Sequence, residues 1–160
     1  MALKRHLKDN GDGDMQYYCT TVCERGGMAV LATGAFLPEM DASGNVVSYV
    51  TTSPSGRVPV GILMHTTEDY DTTRIPYNYQ NMDVVPVNSK VYVLKDGEVI
   101  TNMIDPARLS SIVPGKAYVT SSGLFTDTVP ASGGSIDPGS CKFLSGPSAD
   151  GYVKVSVKMA

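Results

Sequence analysis

The clearest periodicity lies near the end of the chain, where Val153, Val155 and Val157 alternate with Tyr152, Lys154, Ser156 and Lys158. A period of two sends successive side chains to opposite faces, so this pattern predicts a strand with one buried and one wet face. Asp150-Gly151 just before it supplies a turn pair that tolerates positive φ. A second run, KVYVLKDGEVI at 90–100, predicts a hairpin. Its arms, 90–95 and 98–100, flank Asp96-Gly97, the pair preferred in two-residue type I′ turns. A third hairpin is expected around DASGN at 41–45, with 46–52 as its outgoing strand. Residues 58–64 predict another strand, and Pro59 and Gly61 assign it to a sheet edge or a bulge. Segments 28–36 and 117–120 complete the predicted set.

Prolines punctuate the chain from Pro38 to Pro147, and interior proline removes a helix donor and clashes with the preceding turn. The residues between them are rich in Val, Ile, Thr and Tyr, which suit strands. The expected fold is therefore all-β, a small antiparallel β-barrel or β-sandwich. Two regions depart from it. Residues 1–16 are polar and charged, with Leu3 and Leu7 as the only large aliphatics. Such a segment buries too little surface to order itself alone and is expected to be a flexible arm, rooted by Tyr17 and Tyr18. Residues 121–140 hold Gly123, Pro130, Gly133, Gly134, Pro138 and Gly139 and are expected to form a long surface loop. No internal repeat is present.

Length and charge narrow the function. A chain of 160 residues suits one domain, here 19–160, with the arm at 1–18 appended. A net charge of -3 draws the molecule to neither nucleic acid nor anionic lipid. The basic Lys4, Arg5, His6 and Lys8 are cancelled at once by Asp9, Asp12 and Asp14. No apolar run approaches the ~20 residues that span a bilayer, so no membrane partner is expected. MALKRHLKDN lacks a following apolar stretch and does not read as a signal peptide. The protein is then expected to act where it is translated or after release by lysis. Cys19, Cys23 and Cys141 are odd in number and lack the His or second Cys pair of a zinc set; they read as buried thiols in a reducing compartment.

Catalytic chemistry finds little support. Of the two histidines, His6 lies in the expected arm and His65 ends an apolar strand. There is no G-x-S-x-G, no phosphate-binding glycine loop and no H-E-x-x-H. DNGDGD at 9–14 fails as a calcium loop: counted from Asn10, position six is Met15 and position twelve is Thr21, where glycine and glutamate are required. Glu68, Asp69 and Asp71 read as hydrated loop carboxylates. The chain is expected to be no enzyme and to hold neither metal nor cofactor. Tyrosine is the suggestive residue, with nine Tyr against no Trp and three Phe. Arg74, Tyr77 and Tyr79 fall in EDYDTTRIPYNYQNMD, which has no buried periodicity; rigid aromatics beside an arginine are what protein interfaces favour. The same rings could cover the mouth of a barrel, or stack on a sugar or on bases as in an oligonucleotide-binding barrel. Against bases stands the local excess of acid over Arg74, the one basic side chain there. The candidate interface residues are Arg74, Tyr77, Tyr79, Tyr17 and Tyr18.

The run GRVPVGILMHTTEDYDTTRIPYNYQNMDVVPVNSKVYVLKDGEVITNMI resembles the central segment of the capsid decoration, or cement, proteins of tailed phages. In those a VGILL-like strand leads through an acidic, threonine-containing loop to a VPVxxKVxVLxxGxVxTxxI-like hairpin. PGKAYVTSSGLFT and CKFLSGPSADGYVKVSV are similar to the ending of the same family. The resemblance spans residues 56–158 and consists of glycines, turns and strand valines. It implies a β-barrel or β-sandwich subunit, without catalytic residues, that binds the outside of an assembled head and stabilises it. The implied partner is the major capsid protein, the implied state a dimer or trimer with arms reaching over neighbouring capsid subunits. The implied location is the virion surface, after synthesis in the host cytoplasm. The competing reading is a small fibre or host-attachment module that binds carbohydrate.

Overall fold

The structure, a computed structural model, describes residues 3–19, 21–31, 39–40, 46–51, 59–66, 84–85, 90–120, 122–130 and 141–159. These are all-β, as expected, with no helix among them. The first eight strands in chain order are β1 (Leu3–Cys19), β2 (Cys23–Glu24), β3 (Met28–Leu31), β4 (Glu39–Met40), β5 (Val46–Thr51), β6 (Pro59–Thr66), β7 (Val84–Val85) and β8 (Lys90–Thr101). Five more follow: β9 (Gly115–Lys116), β10 (Tyr118–Val119), β11 (Phe125–Thr126), β12 (Cys141–Phe143) and β13 (Val153–Lys158).

One curled sheet organises them, running β1-β5-β3-β6-β8-β13-β12-β9. β1 pairs with β8 as well as with β5, so β1, β5, β3, β6 and β8 follow one another round a closed circuit. Every pairing in that circuit is antiparallel except β1 with β5. β8 is its axis. One edge of β8 carries β1, and the other is shared end to end by β6 at Val91–Leu94 and β13 at Asp96–Thr101.

Burial follows the pleat. β13 alternates Val153, Val155 and Val157, fully buried, with half-buried Lys154 and Ser156 and exposed Lys158. Burying each such valine contributes about 1.5–3 kcal/mol before entropy is counted. The alternating residues of β3 and β6 serve two separate cores: Met28, Val30, Ile62 and Met64 join a large cluster, whereas Ala29, Val60 and Leu63 join a small one. These central strands are therefore buried on both faces. At Gly61 the backbone of β6 lies tight against β8. A Cβ there would collide with the Leu94 carbonyl oxygen and sit 2.8 Å from Val93 Cγ1, distances that side-chain carbons do not tolerate. The two-residue span Asp150-Gly151 forms the expected turn before β13: Gly151 has φ +77°, and its N–H donates to the Ser148 carbonyl at 2.9 Å.

The structure corrects several expectations. No hairpin breaks at Asp96-Gly97, because β8 continues through both residues, with Asp96 opposite Lys158 and Gly97 opposite Val157. Against β1 the register shifts there, from Gly13↔Leu94 to Asp12↔Asp96, leaving Lys95 as an extra residue. A bulge of this kind reverses which alternate positions face a given core. Accordingly, Leu94 and Val99, five residues apart, both enter the large cluster. β6 is interior rather than an edge, lying between β3 and β8, and it carries the expected irregularity, with register shifts against both neighbours. The hairpin expected around 41–45 is visible in its arms, where β4 pairs with β5; its turn residues lie outside the described residues. Of the residues expected to be an arm, Leu3 onward pair as β1 with β8. Hydropathy does not report this placement, because ladder pairing is made by backbone amides and carbonyls and needs no apolar side chain. Part of the expected 121–140 loop is also structured: β10 and β11 pair, and Phe125 is fully buried in the large cluster. Residues 131–140 lie outside the described residues.

Candidate protein interface

The five residues singled out as interface candidates divide sharply. Arg74, Tyr77 and Tyr79 lie outside the described residues. Tyr17 and Tyr18 stand at the C-terminal end of β1, opposite Val91 and Lys90 of β8 and opposite Ser48 and Tyr49 of β5. Both are half-buried. Tyr17 packs against the small cluster, and Lys95 Nζ lies 5.7 Å from its ring centroid. That is within cation–π range, so the extra residue of the β8 bulge holds its ammonium over the ring. Tyr17 therefore packs the C-terminal end of β1 against the small cluster.

Around these residues the reactive groups are quiet. All three cysteines are free and buried. Cys19 and Cys23 line the small cluster, and the Cys23 thiol donates to the Thr21 carbonyl at 3.2 Å. The hydrogen bond that the Cys19 thiol makes to Cys23, then burial, then charge repulsion from Cys23 hold the Cys19 thiol far above the ordinary range. Burial alone pushes Cys141 up to about 12. Thiols raised in this way supply almost no thiolate near neutral pH and make poor nucleophiles. Among the described residues no group of three or more His, Cys, Asp or Glu could hold a metal ion.

One open groove of about 360 Å³ lies between two turn segments, with Pro106 and Leu109 on one side and Pro147 and Ala149 on the other. Its walls contribute no acid or base, and the Ser148 hydroxyl on its rim already accepts the Tyr152 N–H at 3.1 Å. Behind it the first turn segment is fixed by charge. Arg108 Nε donates to Asp127 Oδ1 at 2.8 Å and its Nη2 to Oδ2 at 3.0 Å, a bidentate fork. The Asp105 carboxylate accepts the Ala107 N–H at 3.0 Å, and Arg108 N–H bonds the Asp105 carbonyl, giving an Asx-type turn with proline at its second position. Sequence reading missed Arg108 and Asp127, because only the fold brings positions 19 apart together.

A sheet face, by contrast, collects unusual charge. Lys142 of β12 stands directly opposite Lys116 of β9, and both are exposed. Lys154 and Lys158 project from the same side of β13, the side opposite its buried valines. Comparison with known protein families finds no family model that matches the chain, and no curated protein sequence matches it.

Proposed function

We propose that this chain is a non-enzymatic structural protein that binds the outside of an assembled phage capsid and stabilises it, acting as a dimer or trimer on the major capsid protein. The observation that carries this reading is the spatial arrangement of the segments that resemble decoration proteins. VGILMHT forms most of β6, KVYVLKDGEVIT is β8 and VKVSVK is β13, and both β6 and β13 hydrogen-bond to β8. Three strands that carry the resemblance thus neighbour one another in one sheet, which supports this reading.

The energetics suit such a role. A ligand that binds only the assembled shell stabilises it by about 2.7 kcal/mol per site at a hundredfold excess over Kd. Many copies on one head then sum modest sites into a large mechanical gain. The test is the temperature at which heads lacking the protein release their DNA, with and without a saturating amount of it. Decorated heads are expected to release DNA at higher temperature and to co-sediment with the protein. Equal release temperatures without co-sedimentation would overturn the reading and move the carbohydrate-binding, host-attachment alternative ahead of it.

A further inference from the structure

We propose that the outer face of β9, β12 and β13 is a docking surface for an acidic patch on a partner protein. Naming that partner as the capsid rests on the function proposed above; the charge of the surface does not.

The face is built by register. Lys116 and Lys142 are a directly opposed cross-strand pair, and Lys142 is in turn opposite Ser156. Cβ atoms of such pairs lie about 4.5–5.5 Å apart, and like charges at that spacing destabilise a sheet. Neither lysine makes an ion pair among the described residues, so no neighbouring carboxylate relieves the repulsion. Lys154 and Lys158 bring the ammonium groups on three adjacent strands to four. The carboxylates of this face stand at its border on β8, where Lys154 Nζ meets Glu98 Oε2 at 2.7 Å. A basic face on a chain of net charge -3 is a local concentration against the overall balance. An opposed lysine pair is costly in isolation and favourable once an anionic surface lies across it.

The chemistry of the partner follows from what accompanies the charge. Leu144 is 41% exposed and continues the outward-facing row from Lys142, with its N–H bonded to the Lys154 carbonyl at 2.8 Å. An apolar contact ringed by charge matches the core-and-rim layout of protein interfaces. Single-stranded nucleic acid instead needs successive aromatic rings along a basic groove, whereas the outward row of β13 carries a single half-buried ring, Tyr152, ahead of its lysines.

The experiment compares wild type with the double variants Lys116→Glu/Lys142→Glu and Lys116→Arg/Lys142→Arg, each first checked for an unchanged melt. Three probes are used: heads lacking the protein, an oligoglutamate peptide, and an oligothymidylate of equal charge. Wild type and the arginine variant are expected to bind heads and oligoglutamate with an affinity that falls as salt rises. The glutamate variant is expected to lose about tenfold or more on both. Heads that bind the glutamate variant as well as wild type would overturn the surface. If wild type ignores heads altogether, the capsid reading fails, and oligoglutamate then judges the surface by itself. No salt-sensitive binding to that peptide, or a preference for oligothymidylate, would overturn it.

Discussion

Phe125 shows how much one side chain can hold. It is fully buried in the large cluster, its N–H donates to the Met103 carbonyl at 2.9 Å, and its own carbonyl accepts from Asp105 at 2.9 Å. The ring thus anchors the segment after β10 to the turns that follow β8. Truncating a buried phenylalanine removes its transfer free energy and leaves a cavity, together about 3–5 kcal/mol. For a chain of this length each kcal/mol lowers Tm by roughly 2–4 °C. Phe125→Ala is therefore expected to melt well below wild type when followed by circular dichroism. A phenylalanine in a surface loop, as the glycines and prolines around it suggest, would shift the melt by no more than about 0.5 kcal/mol. Thr101 acts similarly through polar atoms. Its buried hydroxyl donates to the Gly26 carbonyl at 3.1 Å and accepts the Met103 N–H at 3.0 Å, tying the end of β8 to the turn between β2 and β3.

At the scale of elements, the turn segment after β8 carries a pH dependence. The hydrogen bonds from Arg108 hold the Asp127 carboxyl below the ordinary carboxylate range; burial opposes them, and the charge of Arg108 adds a smaller contribution in their favour. A carboxyl with a lowered folded pKa stabilises the fold fully above its unfolded value of about 3.9 and loses that contribution as pH falls through the lowered value. Between about pH 5 and about pH 2, wild type should lose more resistance to urea than Asp127→Asn, which has no such proton to take up. Parallel declines in the two proteins would show that the fork contributes nothing. Which elements could be read from sequence follows from the kind of signal each gives. β13 was legible because alternating valine and a preceding Asp-Gly turn are local features. Asp96-Gly97 gave an equally strong local signal and misled, because pairing on both sides of β8 overrides the turn preference of two residues. The lysine face was half legible: the wet side of β13 shows in its alternation, but only the register brings Lys142 and Lys116 beside it. Of the candidate interface, Tyr17 and Tyr18 are placed, and Arg74, Tyr77 and Tyr79 lie outside the described residues.

For the whole molecule the decisive strand is the first. β1 closes the circuit by pairing with β8 along its length and with β5 at Tyr17–Cys19. Its register against β8 is interrupted four times, between Lys4 and Lys8, Asp9 and Asp12, Asp12 and Gly13, and Asp14 and Tyr17. A strand whose ladder is interrupted opens at lower cost than one with a continuous register, such as β13 against β8. Removing residues 1–16 would keep Tyr17 and Tyr18 opposite Val91 and Lys90 but strip the rest of that edge of β8. An exposed strand edge is a template for pairing with another chain. The truncated protein is therefore expected to keep its β circular dichroism, melt at lower temperature and self-associate with rising concentration in sedimentation. Trypsin provides the complementary measurement, since Lys4, Arg5 and Lys8 all lie within β1. Cleavage there should be slow while the ladder is closed and slower still on heads, if the segment also reaches a neighbouring subunit. Rapid cleavage of the full-length protein, together with an unchanged melt on truncation, would return residues 3–16 to the free arm that their composition suggests.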